Sequence, residues 1–144
     1  MALTWADQVH LTLRHAGLRH AEARERVIEL LATEPCALSA VEIKDTLETQ
    51  GRPIGLASIY RALELLSEHG LVERVAVEPG LARFERSLPG GEHHHHHLVC
   101  ERCGRLVAFD DPALERAISG VSKRLGVRVE HHEVLLRGSC EDCG

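Results

Sequence analysis

Apolar positions in the first half of the chain recur at helical spacing, and each run is closed by a glycine or a proline. Between residues 4 and 15, Trp5, Val9, Leu11 and Leu13 stand among polar neighbours, which predicts an amphipathic helix ending at Gly17. Residues 23–32 gather Val27, Ile28, Leu30 and Leu31 on one face and leave Arg24 and Arg26 off it. That helix stops at Thr33-Glu34-Pro35, because proline disfavours helix in the residue before it. Ser39 followed by Glu42 reads as a capping box opening a third helix, with Val41, Ile43 and Leu47 as its buried stripe up to Gly51. A fourth helix over residues 57–69 is predicted to bury Ile59, Leu63, Leu65 and Leu66 and to end at Gly70 in a left-handed cap. The period then changes from helical to alternating. Residues 71–77 and 81–86 flank Glu78-Pro79-Gly80 and form a hairpin.

Short helices followed by a two-stranded hairpin are the plan of a winged helix-turn-helix, with residues 57–69 as the helix that enters a major groove. Helical bundles with hairpins also serve as plain interaction modules. What favours nucleic acid is the first turns of that helix, where Ser58, Tyr60 and Arg61 stand, side chains that meet base edges and phosphates well.

The second half is organised around His93-His94-His95-His96-His97-Leu98-Val99-Cys100-Glu101-Arg102-Cys103, with Gly104 after it. A run of imidazoles cannot specify a core, so its value is as ligands. A second Cys-x-x-Cys, Cys140 to Cys143, lies near the end of the sequence, and two such pairs read as a tetrahedral thiolate zinc site. If residues 93–99 are extended, alternation sends His94 and His96 one way and His93, His95 and His97 the other. One strand could then feed two metal sites on opposite faces. A loose metal-scavenging tract would also be histidine-rich, but it explains neither cysteine pair.

The sequence has 17 Lys and Arg against 22 Asp and Glu, a formal charge of -5 with histidine neutral. That argues against a binder with a large basic field, so arginines must act locally if DNA is the partner, and bound divalent metal would offset part of the acidity. No apolar run approaches the ~20 residues of a spanning helix and no signal-peptide pattern opens the sequence, so a cytoplasmic location and no membrane partner are expected. There, five cysteines as two close pairs plus Cys36 favour metal over disulfides.

Taken in order, Gly55-Leu56-Ala57-Ser58-Ile59-Tyr60-Arg61-Ala62-Leu63, Gly70-Leu71-Val72, Phe84-Glu85, the histidine-rich Leu98-Val99-Cys100-x-x-Cys103-Gly104 and Gly138-x-Cys140-x-x-Cys143 resemble the ferric uptake regulator family of dimeric metal-sensing repressors. The resemblance covers nearly the whole chain. It implies an α+β protein: a winged-helix DNA-binding domain over residues 1–87, a hinge over 88–92, and a metal-binding dimerisation domain over 93–144 with a mainly antiparallel three-stranded sheet and one long helix. It further implies a homodimer on a palindromic operator in double-stranded promoter DNA. Cys100, Cys103, Cys140 and Cys143 match the family's structural Zn(II) site. His94, His96, Glu115 and His132 match its dimerisation-domain site. The regulatory site between domains would take His95 and His97 with Glu85 and Glu73, and would hold Zn(II), Fe(II) or Mn(II).

Departures from the family pattern matter. The place of a further regulatory histidine holds Cys36-Ala37-Leu38, where Cys36 is expected as a small buried residue rather than a soft ligand. That position also weakens a peroxide-sensing reading. Ser87 stands where zinc-sensing relatives carry cysteine, and Ala21-x-x-Arg24 replaces Thr-x-x-Arg, losing a capping hydroxyl but keeping Arg24 for DNA. The expected function is repression of metal-uptake genes, zinc favoured over iron or manganese. The alternatives are a metal-storage or metallochaperone protein and a hydrolytic zinc enzyme; the latter is disfavoured because a fourth protein ligand closes the position a reactive water needs.

In the remaining sequence, residues 105–110 predict a strand. Asp111 and Pro112 open a helix with Leu114, Ile118, Val121 and Leu125 as its stripe and Gly126 as its stop, and residues 127–137 predict a third strand in which His131 is exposed. So small a sheet with one helix is not stable alone, and a thiolate zinc and a partner subunit are expected to supply the difference.

Overall fold

The computed structural model describes residues 2–34, 36–87 and 96–144. The chain forms two compact units, Met1–Glu92 and His93–Gly144.

The first unit runs α1 (Trp5–His15), α2 (Glu22–Thr33), β1 (Leu38–Ser39), α3 (Ala40–Thr49), α4 (Leu56–Glu68), β2 (Val72–Glu78) and β3 (Leu81–Arg86), with the strands in the order β1-β3-β2. This is the winged helix-turn-helix. One apolar cluster, from Trp5 through Ile28, Leu31, Ile43, Leu47, Ile59, Leu63 and Leu66 to Phe84, joins the four helices to the sheet. The Trp5 indole donates to the Leu71 carbonyl at 2.9 Å inside this core, pinning α1 to the start of the hairpin. The Ser39/Glu42 capping box is present in both directions, whereas Ala21 caps α2 with no side-chain bond. Pro79-Gly80 turns the hairpin with Gly80 at φ 81°, a conformation glycine adopts without a Cβ penalty.

Four expectations about this unit's core are corrected. Val41 is 50% exposed, because the stripe of α3 runs Ala40, Ile43, Leu47 and Val41 sits about a third of a turn off it. Ala62, not Leu65, completes the buried face of α4, and Leu11 is turned outward from α1. Cys36 is exposed rather than buried, since alternation at the approach to β1 gives the inner position to Ala37.

The second unit contains β4 (His96–Cys100), β5 (Leu106–Phe109), α5 (Pro112–Leu125) and β6 (Leu135–Gly138), in the sheet order β5-β4-β6. Its sheet is mixed: β4 pairs β5 antiparallel and β6 parallel. Asp111 caps α5 by accepting from the Ala113 and Leu114 amides, Pro112 occupies the first turn, and Gly126 ends the helix at φ 65°. The third strand is shorter than predicted. Residues 127–134 alternate as a strand would, yet Val127 and Val129 are exposed and make no ladder among the described residues, so only Leu135–Gly138, which pairs with β4, is strand.

Candidate metal centres and DNA-reading face

The sheet register builds the first centre. Cys100 ends β4 and its parallel partner is Gly138, so the turn after β4 and the turn after β6 emerge side by side. Each turn is a tight Cys-x-x-Cys: Gly104 N–H donates to the Cys100 carbonyl at 2.8 Å, and Cys143 N–H to the Cys140 carbonyl at 3.0 Å. Gly104, at φ 75°, lets the chain return directly to β5. Two arginines brace the pair of turns, Arg102 donating to the Cys143 carbonyl at 2.8 Å and Arg105 meeting Asp142 at 3.2 Å.

Within this frame the sulfurs of Cys100, Cys103, Cys140 and Cys143 lie within 4.8 Å of one another, and no pair is a disulfide. The Cys103 and Cys140 sulfurs are 3.7 Å apart, close to the ~3.8 Å edge of a tetrahedron with Zn–S bonds of about 2.3 Å. The amide of Cys103 and then that of Cys140 lower the Cys100 thiol from 9.0 to about 6, whereas the sulfurs of Cys140, Cys103 and Cys100 push Cys143 up to about 12. Four sulfurs this close cannot all ionise without a cation among them, which is the charge demand of a soft divalent metal.

The second centre lies on the face of β4 that His96 occupies. His96 is 1% exposed, its Nε2 meets one oxygen of Glu115, and His132 Nε2 stands 2.8 Å from the other. The two imidazoles are 5.3 Å apart between centroids, with Phe109 stacked at a tilt on His96. Glu115 comes from the first turn of α5 and His132 from the stretch before β6. Hydrogen bonding by His96, and after it by His132, holds the Glu115 carboxyl below its ordinary value against the opposing effect of partial burial. Two imidazole nitrogens and one carboxylate within 4.8 Å are a mixed N/O set suited to Zn(II), Fe(II) or Mn(II). His94, expected as a fourth member, lies outside the described residues.

His97, one residue on and therefore on the other face of β4, is buried. Its expected companion His95 lies outside the described residues. In the first unit Glu73 and Glu85 are direct cross-strand partners on β2 and β3. Like charges placed opposite one another disfavour a hairpin unless a cation offsets them. Ser87 donates its hydroxyl toward Glu73 at 3.4 Å.

On the helix-turn-helix, Arg61 donates to the Ser58 hydroxyl at 3.1 Å, one turn back on α4. Both line a shallow groove with Arg24 of α2, which also donates to the Arg19 carbonyl. Tyr60 is 45% exposed and borders a separate hollow with Val41, Leu81 and Arg74. Val41, expected in the buried stripe of its helix, and Leu81 of the hairpin are both surface residues. Their outward placement follows from helix phase and from the hairpin turn beside Leu81.

A winged helix followed by a small α/β unit carrying a thiolate cluster and an imidazole–carboxylate cluster defines a metal-responsive DNA-binding regulator. The family model described as "Ferric uptake regulator family" matches residues 15–137. The ferric uptake regulation protein of Vibrio anguillarum is 35% identical over 131 residues, 90% of this chain and 86% of that one. The zinc uptake regulation protein of Mycobacterium tuberculosis is 34% identical over 128 residues, 89% of this chain and 96% of that one. Among solved structures, the Vibrio cholerae ferric uptake regulator superposes with a TM-score of 0.80 at 34% identity, covering 92% of this chain and 99% of that one. The chain belongs to the ferric uptake regulator family. It is therefore a metal-dependent transcriptional regulator and not the storage protein or chaperone that the acidic charge also allowed.

Proposed function

We propose that the chain is a homodimeric repressor of metal-uptake genes, with zinc the favoured signal over iron or manganese. The observation that carries this reading is β4 itself, which turns His96 toward Glu115 and His132 and turns His97 to its opposite face. Relatives named for ferric and for zinc uptake stand at 35% and 34% identity, so overall likeness does not choose the metal. The zinc preference rests on the imidazole-rich run.

In this reading Cys100, Cys103, Cys140 and Cys143 hold a structural Zn(II), and His94, His96, Glu115 and His132 hold a second divalent ion. Glu73 and Glu85 join His95 and His97 as the regulatory ligands. A bound divalent cation supplies positive charge and fixed ligand directions at each place. Glu73 and Glu85 face one another across the hairpin, and a cation held there would take its remaining ligands from imidazoles of the second unit. The Vibrio cholerae regulator, 34% identical, shows a structural rearrangement of its DNA-binding domains, which is compatible with this arrangement.

Ser58, Tyr60 and Arg61 read the operator from α4 with Arg24 alongside, and a second copy presents the same residues to a half-site about one helical turn, ~34 Å, away. Dimerisation uses the second unit, where Leu125 is 70% exposed with Val121, Val127 and Val129 also outward, an unusual density of bare aliphatic surface for so small a unit. Among the described residues no helix is long and apolar enough to cross a membrane, and action on promoter DNA makes the cytoplasm the working compartment.

The deciding experiment is metal analysis of protein from its native cells, joined to a salt-dependent gel shift with and without Zn(II), Fe(II) and Mn(II). Metal-stimulated binding to specific DNA supports the reading. Equal affinity with and without every metal overturns it.

A further inference from the structure

Glu42 uses both oxygens of its carboxylate. Oε2 accepts from the Ser39 amide at 3.2 Å and closes the capping box of α3, while Oε1 lies 3.1 Å from Arg83 Nη2 on β3. Ser39 and Arg83 are themselves ladder partners in the two-residue pairing of β1 with β3, the seam where the wing meets the helix-turn-helix. The Arg83 side chain is only 14% exposed, so this pair is held in a way that a surface salt bridge is not. Strand alternation puts Arg83 and Glu85 on one face of β3, and Glu85 faces Glu73 across the hairpin. A row of charge thus runs Glu73, Glu85, Arg83, Glu42, from the carboxylates proposed above as ligands to the first turn of α3.

We propose that Arg83 and Glu42 are positioning residues that couple cation binding at the Glu73/Glu85 pair to the seating of α3 and, through the core it shares with α4, to the DNA-reading helix. The inference rests on the reading of Glu85 as a ligand. When Glu85 shares no cation, its carboxylate competes with Glu42 for the Arg83 guanidinium. When it does, its charge is offset, Arg83 is left to Glu42, and β3 is clamped to the start of α3. The clamp carries no information in the metal-free state, which separates it from a merely structural salt bridge.

Three variants test it. Glu42→Gln keeps a capping oxygen but removes the charge, Arg83→Met keeps the stem without the guanidinium, and Arg83→Lys keeps the charge. Each is titrated, with the four-cysteine site zinc-loaded, against a duplex selected from a random library by the wild type. The metal is whichever of Zn(II), Fe(II) and Mn(II) gives wild type the largest gain, and its affinity is measured directly against a chromophoric chelator. In Glu42→Gln and Arg83→Met, metal-free DNA affinity should stay within about two-fold of wild type while the metal-dependent gain falls about three- to five-fold, the scale of one partly buried ion pair. Reciprocity requires that the tightening of metal by DNA fall by the same factor. The double variant should be no worse than either single one, and Arg83→Lys should retain the gain.

Full gain in both neutral variants overturns the coupling, as does an equal loss in metal-free DNA affinity. Glu85→Ala separates this from the reading beneath it. Loss of gain there, with full gain in Glu42→Gln and Arg83→Met, sinks the coupling alone; unchanged gain in Glu85→Ala sinks the ligand reading and the coupling with it.

Discussion

Stripping metal from the four-cysteine knuckle should unfold one unit of the chain and leave the other standing. Every member of the large apolar cluster lies between Trp5 and Phe84. Among the described residues of the second unit, the buried apolar side chains are Val99, Cys100 and Leu106, and α5 buries none of its own. A core that small supplies at most a few kcal/mol, whereas ligation at a thiolate zinc site contributes on the order of 10 kcal/mol near neutral pH. The ligation energy therefore exceeds the unit's own stability, and its removal should reverse the sign of folding there. Trp5 provides a selective reporter: it is the sequence's single tryptophan, and it is buried in the first unit with its indole on the Leu71 carbonyl. On titration with a strong zinc chelator, far-UV ellipticity should fall as α5 and the second sheet melt, while Trp5 emission keeps its buried wavelength. Cys100→Ser should behave the same way without chelator. A metal-free chain that retains its full ellipticity and sediments as a dimer would refute the reasoning.

Other outcomes follow from the same geometry. Tyr60→Ala and Arg61→Ala should each weaken specific DNA binding by about 1–3 kcal/mol in a gel shift, with metal content unchanged; wild-type affinity in both would remove α4 from the interface. Glu85→Ala and His97→Ala should lose metal-stimulated DNA binding while remaining folded dimers by sedimentation. Because hydrogen bonds hold Glu115 below its ordinary 4.5, its contribution to stability is present above that value and lost as pH falls through the lower folded one. The gap in melting temperature between wild type and Glu115→Gln should accordingly be full near about pH 6 and close below 4.5; a gap that widens in acid contradicts the assigned direction. Trp5→Phe should cost about 1 kcal/mol in urea denaturation followed by circular dichroism, the value of one buried hydrogen bond to a carbonyl, and no cost would mean that bond is not made in solution.

Local rules carried the first unit because each of its elements is punctuated. Ser39 with Glu42, Gly70, Pro79-Gly80, and Asp111-Pro112 with Gly126 in the second unit mark ends that depend on backbone chemistry alone, and those ends fall within a residue or so of prediction. The errors sit where burial depends on neighbours that no local pattern names. Val41 reads as core by composition and is exposed by helix phase, while Cys36 loses the inner place to Ala37 by alternation. The overlong third strand is of the same kind: residues 127–134 have a strand's alternation, but a strand needs a partner, and among the described residues the ladder with β4 begins at Leu135. The Arg83 to Glu42 bridge spans 41 positions and has no sequence signal at all beyond the two residues' charges.

The centres on β4 share a constraint that neither has by itself. Sliding β6 against β4 by one residue would part Cys100 from Gly138, carrying the two cysteine turns out of step by roughly 3.3 Å, more than a Zn–S tetrahedron tolerates. Rotating β4 by one position instead would send His96 away from Glu115 and His132 and bring His97 toward them, exchanging the faces of the strand. Ligation by the four sulfurs would thus fix the register along the strand, and the histidine–glutamate cluster fixes which face is which. With both satisfied, His97 has one side of the sheet left to it. A short, weakly packed sheet can in this way hold an imidazole in a set direction without the large core that would otherwise be needed to do so.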